Sequence, residues 1–178
     1  MTFEGHDREF AVETLSPEAL SRLYLNRVHA FCRSMLRDER DAEDACQEVF
    51  LTVLRRSDQL GSVQKPVPWL MKVARLTCLW VRRKRRKDVE LQEADIDAAY
   101  DPGPPIEPAE DAGRVREALE RLPERYQAVL VMHYQQGMAQ EEIAEAMELS
   151  RGALRVLLHR AVMRLRHEVR RKNVPAER

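Results

Sequence analysis

The spacing of apolar positions along the chain predicts helices and no strands. In "LSPEALSRLYLNRVHAFCRSML" Leu20, Leu23, Val28, Phe31, Cys32 and Met35 share one stripe, with Ser16 as N-cap and Pro17 at the first helical position. A second amphipathic helix lies in "RDERDAEDACQEVFLTVLRR". There Ala42, Ala45, Cys46, Val49, Phe50 and Val53 repeat at three and four, while Asp41, Asp44, Gln47 and Glu48 occupy the rest of the circumference. A third helix follows the loop "SDQLGSVQKPVP", carries Trp69, Leu70, Val73, Ala74, Cys78 and Val81, and runs into "RRKRRK" at Arg82 to Lys87. Helices of this kind close one small core.

The pattern breaks at Asp88. From there to Asp111 the chain holds nine acids, no base, and prolines at 102, 104, 105 and 108. Prolines remove backbone donors and restrict their neighbours, and charge of one sign repels itself, so no regular packed element is expected. The segment divides the chain into residues 1–87, an acidic linker over 88–111, and residues 112–178.

Helical spacing resumes with Val115, Ala118, Leu119 and Leu122; Pro123 restarts a helix and Gly137 offers a C-terminal stop. "AQEEIAEAMELSRGALRVLLHRAVMRLRHEVRRK" then predicts a short helix, a tight turn at Glu148 to Ser150, and a long helix capped by Ser150. Short helix, turn, longer basic helix is the helix-turn-helix pattern. The expected fold class is all-α: two small helical domains joined by an acidic, proline-containing linker, the C-terminal one a helix-turn-helix.

Composition agrees with this division. Of 178 residues, 44% are hydrophobic and 34% charged, with only 6 glycines, which favours long helices and excludes a wholly disordered chain. The 30 basic and 30 acidic side chains cancel, so any nucleic-acid argument rests on where the charges lie. Cys32, Cys46 and Cys78 form no CxxC pair and fall at apolar helical positions, as buried reduced thiols of a cytoplasmic protein would. The N-terminus lacks an export signal, and no apolar run approaches the roughly 20 residues of a membrane span.

The long last helix carries Arg151, Arg155, Arg160 and Arg164 among its bases, against one acid, Glu168, whereas the short helix before it carries Glu141, Glu142, Glu145 and Glu148. A solvated basic face would share this pattern; the helix-turn-helix context favours DNA. Arg151 and Arg155 at the start of the second helix are placed to meet base edges, and Arg160 and Arg164 to grip backbone. "RRKRRK" alone fits a solvated helix end, a localisation-like patch or a nucleic-acid contact. Together with Trp69, Trp80, Lys72 and Arg75 it suits single-stranded bases held by stacking and phosphate attraction, although a Trp at helical spacing equally suits a core. His6, His29, His133, His159 and His167 show no metal-ligand spacing, and the sequence holds no phosphate loop or nucleophile elbow. No metal, cofactor or enzymatic activity is expected.

Taken together, "DAEDACQEVF", a Trp-bearing helix ending in a basic run, a polar linker, and "LPERYQAVLVMHYQQGMAQEEIAEAM" leading to "LSRGALRVLLHRA" strongly resemble an extracytoplasmic-function (ECF) sigma factor. The resemblance covers roughly residues 18–87 and 112–168. It implies a transcription initiation factor with two helical domains, regions two and four. Asp41, Asp44, Gln47 and Glu48 would dock on the clamp helices of the polymerase beta-prime subunit. The Ser57 to Val67 loop and the helix after it, with Gln64, Lys65, Trp69, Lys72, Arg75, Arg82 and Arg83, would capture an unstacked base and hold the melted minus-ten strand. Ser150, Arg151, Arg155, His159, Arg160 and Arg164 would read the minus-thirty-five element, and that domain would also touch the beta flap. The linker would thread toward the active-site cleft and RNA exit channel, where its acidity mimics RNA. An anti-sigma factor is the further partner implied.

Some positions depart from the family. Pro68 replaces Thr in "PVPWL", Leu76 replaces Asn, and Val156 with Leu157 replace polar and basic residues of the recognition helix. Ala139 stands where Ser or Thr caps the first helix of the motif, and Glu148 where the turn has Gly. The competing readings are an operator-binding regulator that works without polymerase, which leaves the first module and the acidic linker without a role, and a helical adaptor that binds no DNA, which predicts little salt-sensitive DNA affinity.

Overall fold

A computed structural model describes residues 16–87 and 112–171. The acidic linker expected over 88–111 lies outside the described residues, as do both chain ends. Among the described residues every regular element is a helix. The first module contains α1 (Pro17–Met35), α2 (Glu39–Arg55), a short 3₁₀ helix (Ser57–Ser62) and α3 (Pro66–Lys87). The second contains α4 (Ala112–Arg121), α5 (Glu124–Leu130), a π-helical turn (Val131–Gln135), α6 (Gln140–Ala146) and α7 (Arg151–Arg171).

Local chemistry sets the ends of these helices. Ser16 Oγ accepts from Ala19 N at 3.1 Å, and Pro17 sits at the first position of α1, where no donor is needed. Asp38 caps α2 through Asp41 N at 3.1 Å; that backbone bond, with Arg85 nearby, holds its carboxyl below the usual carboxylate range. Both Pro66 and Pro68 fall within the first turn of α3, so the helix begins inside the stretch expected to be loop. At the other end α3 continues through the basic run to Lys87.

Packing of the first module follows the expected stripes with one shift. Leu20, Val28, Phe31, Cys32 and Met35 are buried on α1, but Leu23 is 51% exposed. Successive residues are about 100° apart, so Tyr24, four after Leu20, stays on the stripe while Leu23 rotates off it. Ala42, Ala45, Cys46, Val49 and Val53 of α2 meet Leu70, Met71, Ala74 and Cys78 of α3. The small residues at 42, 45 and 74 let the helices approach closely.

The cysteines face one another across this core, and all three are buried free thiols. A hydrogen bond with Cys78 and burial push the Cys32 thiol well above its usual range; burial raises Cys46 to about 11. Cys32 and Cys46 are therefore protonated at neutral pH, and all three buried thiols act as small apolar residues.

In the second module Gln127, Ala128, Val129, Leu130, Val131 and Met132 are all buried, because α5 and the π turn lie between α7 and the first module. Gly137, at φ 60°, closes the π turn in the left-handed conformation that glycine adopts without strain. The apolar surfaces of the two modules are continuous: one buried cluster runs from Leu20 to Ala161.

Phe31→Ala should lower unfolding free energy by about 3–5 kcal/mol in urea titration, while Leu51→Ala, on an exposed position, should change it by less than about 0.5 kcal/mol. In the native protein Cys32, Cys46 and Cys78 should resist a thiol reagent at pH 7 and label rapidly once urea unfolds the chain. Fast native labelling would contradict their structural role.

Candidate nucleic-acid and polymerase interfaces

Three surfaces carry the candidate residues. The first is the outer edge of α2, where Asp44 and Gln47 are exposed. Its two flanks are engaged: Asp41 accepts from Arg85 Nε at 2.6 Å, and Glu48 pairs with Arg55 at 2.7 Å. Arg85 comes from the basic end of α3, so part of that run serves to tie α3 to the start of α2. Asp44 and Glu48 form one wall of an open groove of about 590 Å³ between α2 and α3, whose other wall includes Trp69, Lys72, Leu76 and Trp80.

The second surface is α3 with the connection before it. Gln64 and Lys65 are exposed just before the helix, and Arg83 near its end. Trp69 does two things: it packs partly against the core and it lines the groove. Pro68, the residue before it, is buried, which places a rigid ring where the family has a hydroxyl. Trp80, grouped with Trp69 as a stacking candidate but not assigned to the minus-ten set, is 58% exposed with Lys84 Nζ 5.2 Å from its ring centroid. An exposed Trp on a basic helix is a stacking platform. Spacing could not separate it from Trp69, because both lie near the apolar stripe.

Four cations of this surface are turned toward the second module. Lys65 Nζ lies 3.2 Å from Glu145, Lys72 Nζ 2.7 Å from Glu148, and Arg75 Nη1 3.6 Å from Glu124. Arg82 Nη1 donates to Gln127 Oε1 at 2.8 Å, and Gln127 Nε2 donates to Ser34 O at 2.6 Å. Glu124, Gln127, Glu145 and Glu148 had no sequence signal for this role, since their partners are remote along the chain.

The third surface is the helix-turn-helix of α6 and α7. Ala139 offers no side-chain acceptor at the start of α6, but Glu142 reaches back to accept from Ala139 N at 2.9 Å, half of a capping box. The turn is a Schellman motif: Leu149 N donates to Ala144 O at 2.8 Å and Glu148 N to Glu145 O at 3.1 Å, with Glu148 left-handed at φ 55°. Ser150 Oγ then caps α7 through Ala153 N at 3.2 Å. Along α7, Arg151, Arg155, His159 and Arg160 are exposed. Arg151 lies 3.4 Å from Glu141, and Arg164 turns to the buried Glu168 at 3.3 Å, so Arg164 anchors the helix rather than standing open. Of the two apolar departures, Leu157 points into the core at 8% exposure while Val156 faces out at 52%. Only one apolar group is therefore presented beside Arg155.

Elsewhere, His29, Glu39 and Glu43 bring ligand atoms within 4.8 Å of one another. Glu39 also pairs with Arg33 at 3.2 Å, and exposed acidic groups commonly come together without an ion. Among the described residues no helix is long and apolar enough to cross a membrane.

Comparison with known proteins matches both modules. Sigma-70 region 2 matches residues 20–88 and Sigma-70, region 4 matches residues 112–165. The chain is 33% identical over 151 residues to a probable RNA polymerase sigma factor, RfaY, of Xanthomonas campestris pv. campestris, covering 81% of this chain and 38% of that longer relative. It is 31% identical over 159 residues to the ECF RNA polymerase sigma factor SigF of Caulobacter vibrioides (86% and 85% covered). To the ECF RNA polymerase sigma factor SigM of Bacillus subtilis it is 26% identical over 153 residues (84% and 92% covered). Its fold is similar to that of the sigma factor RpoE in the complex with the anti-sigma factor NepR from Bartonella quintana: TM-score 0.66 at 22% identity, covering 86% of this chain and 96% of that one.

Leu157→Ala should cost about 2–4 kcal/mol of stability and Val156→Ala less than about 0.5 kcal/mol, measured by thermal unfolding. Equal costs would mean that the register of α7 differs from the one described.

Proposed function

The chain belongs to the ECF RNA polymerase sigma factors, transcription initiation factors that bind core polymerase and direct it to promoters, and we propose how its own residues divide that work. The observation that carries the proposal is the joining, on one chain, of an exposed acidic edge on α2 with an aromatic-basic groove beside it and a basic recognition helix in the other module.

Residues 1–87 act as region two and residues 112–178 as region four, with 88–111 as the acidic linker. Asp44 and Gln47, open on α2, make the first contact with the beta-prime clamp helices; Asp41 and Glu48 join by exchanging Arg85 and Arg55 for polymerase bases. Asp44 and Glu48 line the same groove as Trp69 and Lys72, which supports a melted strand held next to the docking edge. Gln64, Lys65, Lys72, Arg75, Arg82 and Arg83 supply the phosphate attraction, and Trp69 the stacking face, for a base drawn out of the duplex at a cost of a few kcal/mol. In region four Arg151 and Arg155 meet base edges, Ser150 orients the helix start, and His159 and Arg160 hold backbone, with Arg164 released from Glu168 only if DNA draws it out. Region four also meets the beta flap. The bond-making chemistry of transcription belongs to the polymerase.

The working place is the cytoplasm, and a further partner is an anti-sigma factor, as in the RpoE–NepR complex that the fold resembles. An operator-binding regulator would use α6 and α7 but leave region two without a role, so it is not favoured.

Purified protein added to core polymerase on a library of randomised promoters should enrich two-block sequences that depend on the added chain. Asp44→Arg should lose polymerase binding and initiation together. Arg155→Ala should relax preference at one upstream base by about 1–3 kcal/mol, whereas Arg160→Ala should weaken all promoters alike and flatten the salt dependence. DNA binding by the chain alone, with no polymerase association, would sink this assignment.

A further inference from the structure

On α7 the buried residues Leu154, Leu157 and Ala161 mark the side turned to the core. Successive residues are about 100° apart, so the opposite side of the helix is crowned by Gly152, Val156 and His159, with Arg155 on one flank and Arg160 on the other. Each of these is exposed. The most outward line of this basic helix therefore holds no arginine or lysine.

The fold has no use for two of its residues. Val156 is 52% exposed and is not among the side chains packed against the core. A β-branched side chain is also a poorer helix former than the long polar residues that suit a solvated face. Gly152 raises the same question one turn earlier. A methyl group added there would meet nothing within 4 Å, and its φ is not positive. Neither space nor backbone conformation calls for glycine, itself a poor helix former.

Both residues fit a surface that arrives from outside the chain. A glycine lets another molecule come close to the helix backbone. Close approach is what a valine contact needs, because an isopropyl group extends far less from the helix than the guanidinium of Arg155 beside it. In duplex DNA the major groove displays donors and acceptors from every base pair but a single apolar group, the C5-methyl of thymine. An isopropyl group forms no hydrogen bond. Set against the amino group of cytosine or adenine it strands a donor, whereas set against the thymine methyl it buries hydrocarbon on both sides.

We propose that Val156 is a specificity-determining residue of the promoter contact, packing on the C5-methyl of a thymine in the upstream element, and that Gly152 admits the helix deeply enough into the groove for this contact. The inference deepens the assignment of α7 to the minus-thirty-five element and rests on it. Arg155 and Val156 are consecutive, and base pairs rise about 3.4 Å, so this thymine lies within one or two base pairs of the position that Arg155 reads.

The test uses the full chain bound to core polymerase, with duplex promoters taken from the randomised selection. In the upstream block each thymine, on either strand, is replaced in turn by deoxyuridine, which removes the C5-methyl and nothing else. With the wild-type chain one replacement near the Arg155 position should weaken holoenzyme binding about fourfold, the worth of one buried methyl group. With Val156→Ser, a change at an exposed position that leaves the fold intact, the thymine and uracil promoters should bind alike there. Gly152→Ala should leave the thermal midpoint of the free chain unchanged or higher, yet weaken promoter binding by roughly fivefold or more, because the added methyl fills space that the DNA needs. Wild-type binding by Gly152→Ala would overturn the role of that glycine. Uracil sensitivity at no position, or the same sensitivity in Val156→Ser as in wild type, would overturn the thymine contact. Arg155→Ala then separates the two assumptions. If it still relaxes preference at one upstream base, α7 remains the promoter reader and the thymine contact alone is overturned. If it does not, the assignment of α7 fails and the thymine contact falls with it.

Discussion

Gln127 lies where α1, α3 and α5 meet, 1% exposed, and both ends of its amide are used: Nε2 donates to the Ser34 carbonyl and Oε1 accepts from Arg82. A buried amide left unpaired costs about 1–3 kcal/mol per polar atom, so the two bonds restrict how α5 can sit on the first module. The apolar run from Ala128 to Met132 follows directly and is enclosed on both sides. Once α5 is seated, α6 arrives over α3 with Glu145 and Glu148 facing Lys65 and Lys72. Arg27 donating to Gln136 O and Ser34 donating to Gln135 Oε1 extend the same contact at the π turn.

Charge in this chain sums to zero, but the structure spends it unevenly. The side of α3 proposed to hold the strand is matched with carboxylates from the second module, while Asp44 and Gln47 on α2 and Arg155 and Arg160 on α7 remain outward. Two of the three candidate surfaces are thus presented and one is covered. The individual ion pairs across the contact are exposed or incompletely bonded, so the continuous apolar cluster rather than charge holds the modules together. The cysteines play no part in it; they lie within the first module's core as buried free thiols.

Much of the local architecture was legible from pattern. The caps at Ser16 and Ser150, the stop at Gly137, the buried stripes of α2 and α4, and the helix-turn-helix all depend on residues within about four positions of one another, the range over which helical geometry acts. Where two faces were nearly equivalent, pattern was weaker. Leu23 and Leu157 each occupy a helical position next to other apolar residues, and only packing decided that the first faces solvent and the second the core. Trp69 and Trp80 were indistinguishable for the same reason.

By itself the sequence determined the helices, their caps, the two-part organisation and, through its motifs, the family, because each is written in neighbouring residues. Which charges meet was decided by tertiary structure alone. Lys72 and Glu148 are 76 positions apart, Lys65 and Glu145 are 80, and Arg82 and Gln127 are 45. No local periodicity encodes such pairs; they exist because burying the apolar faces of α5 and the π turn against the first module carries the acidic edge of α6 onto α3.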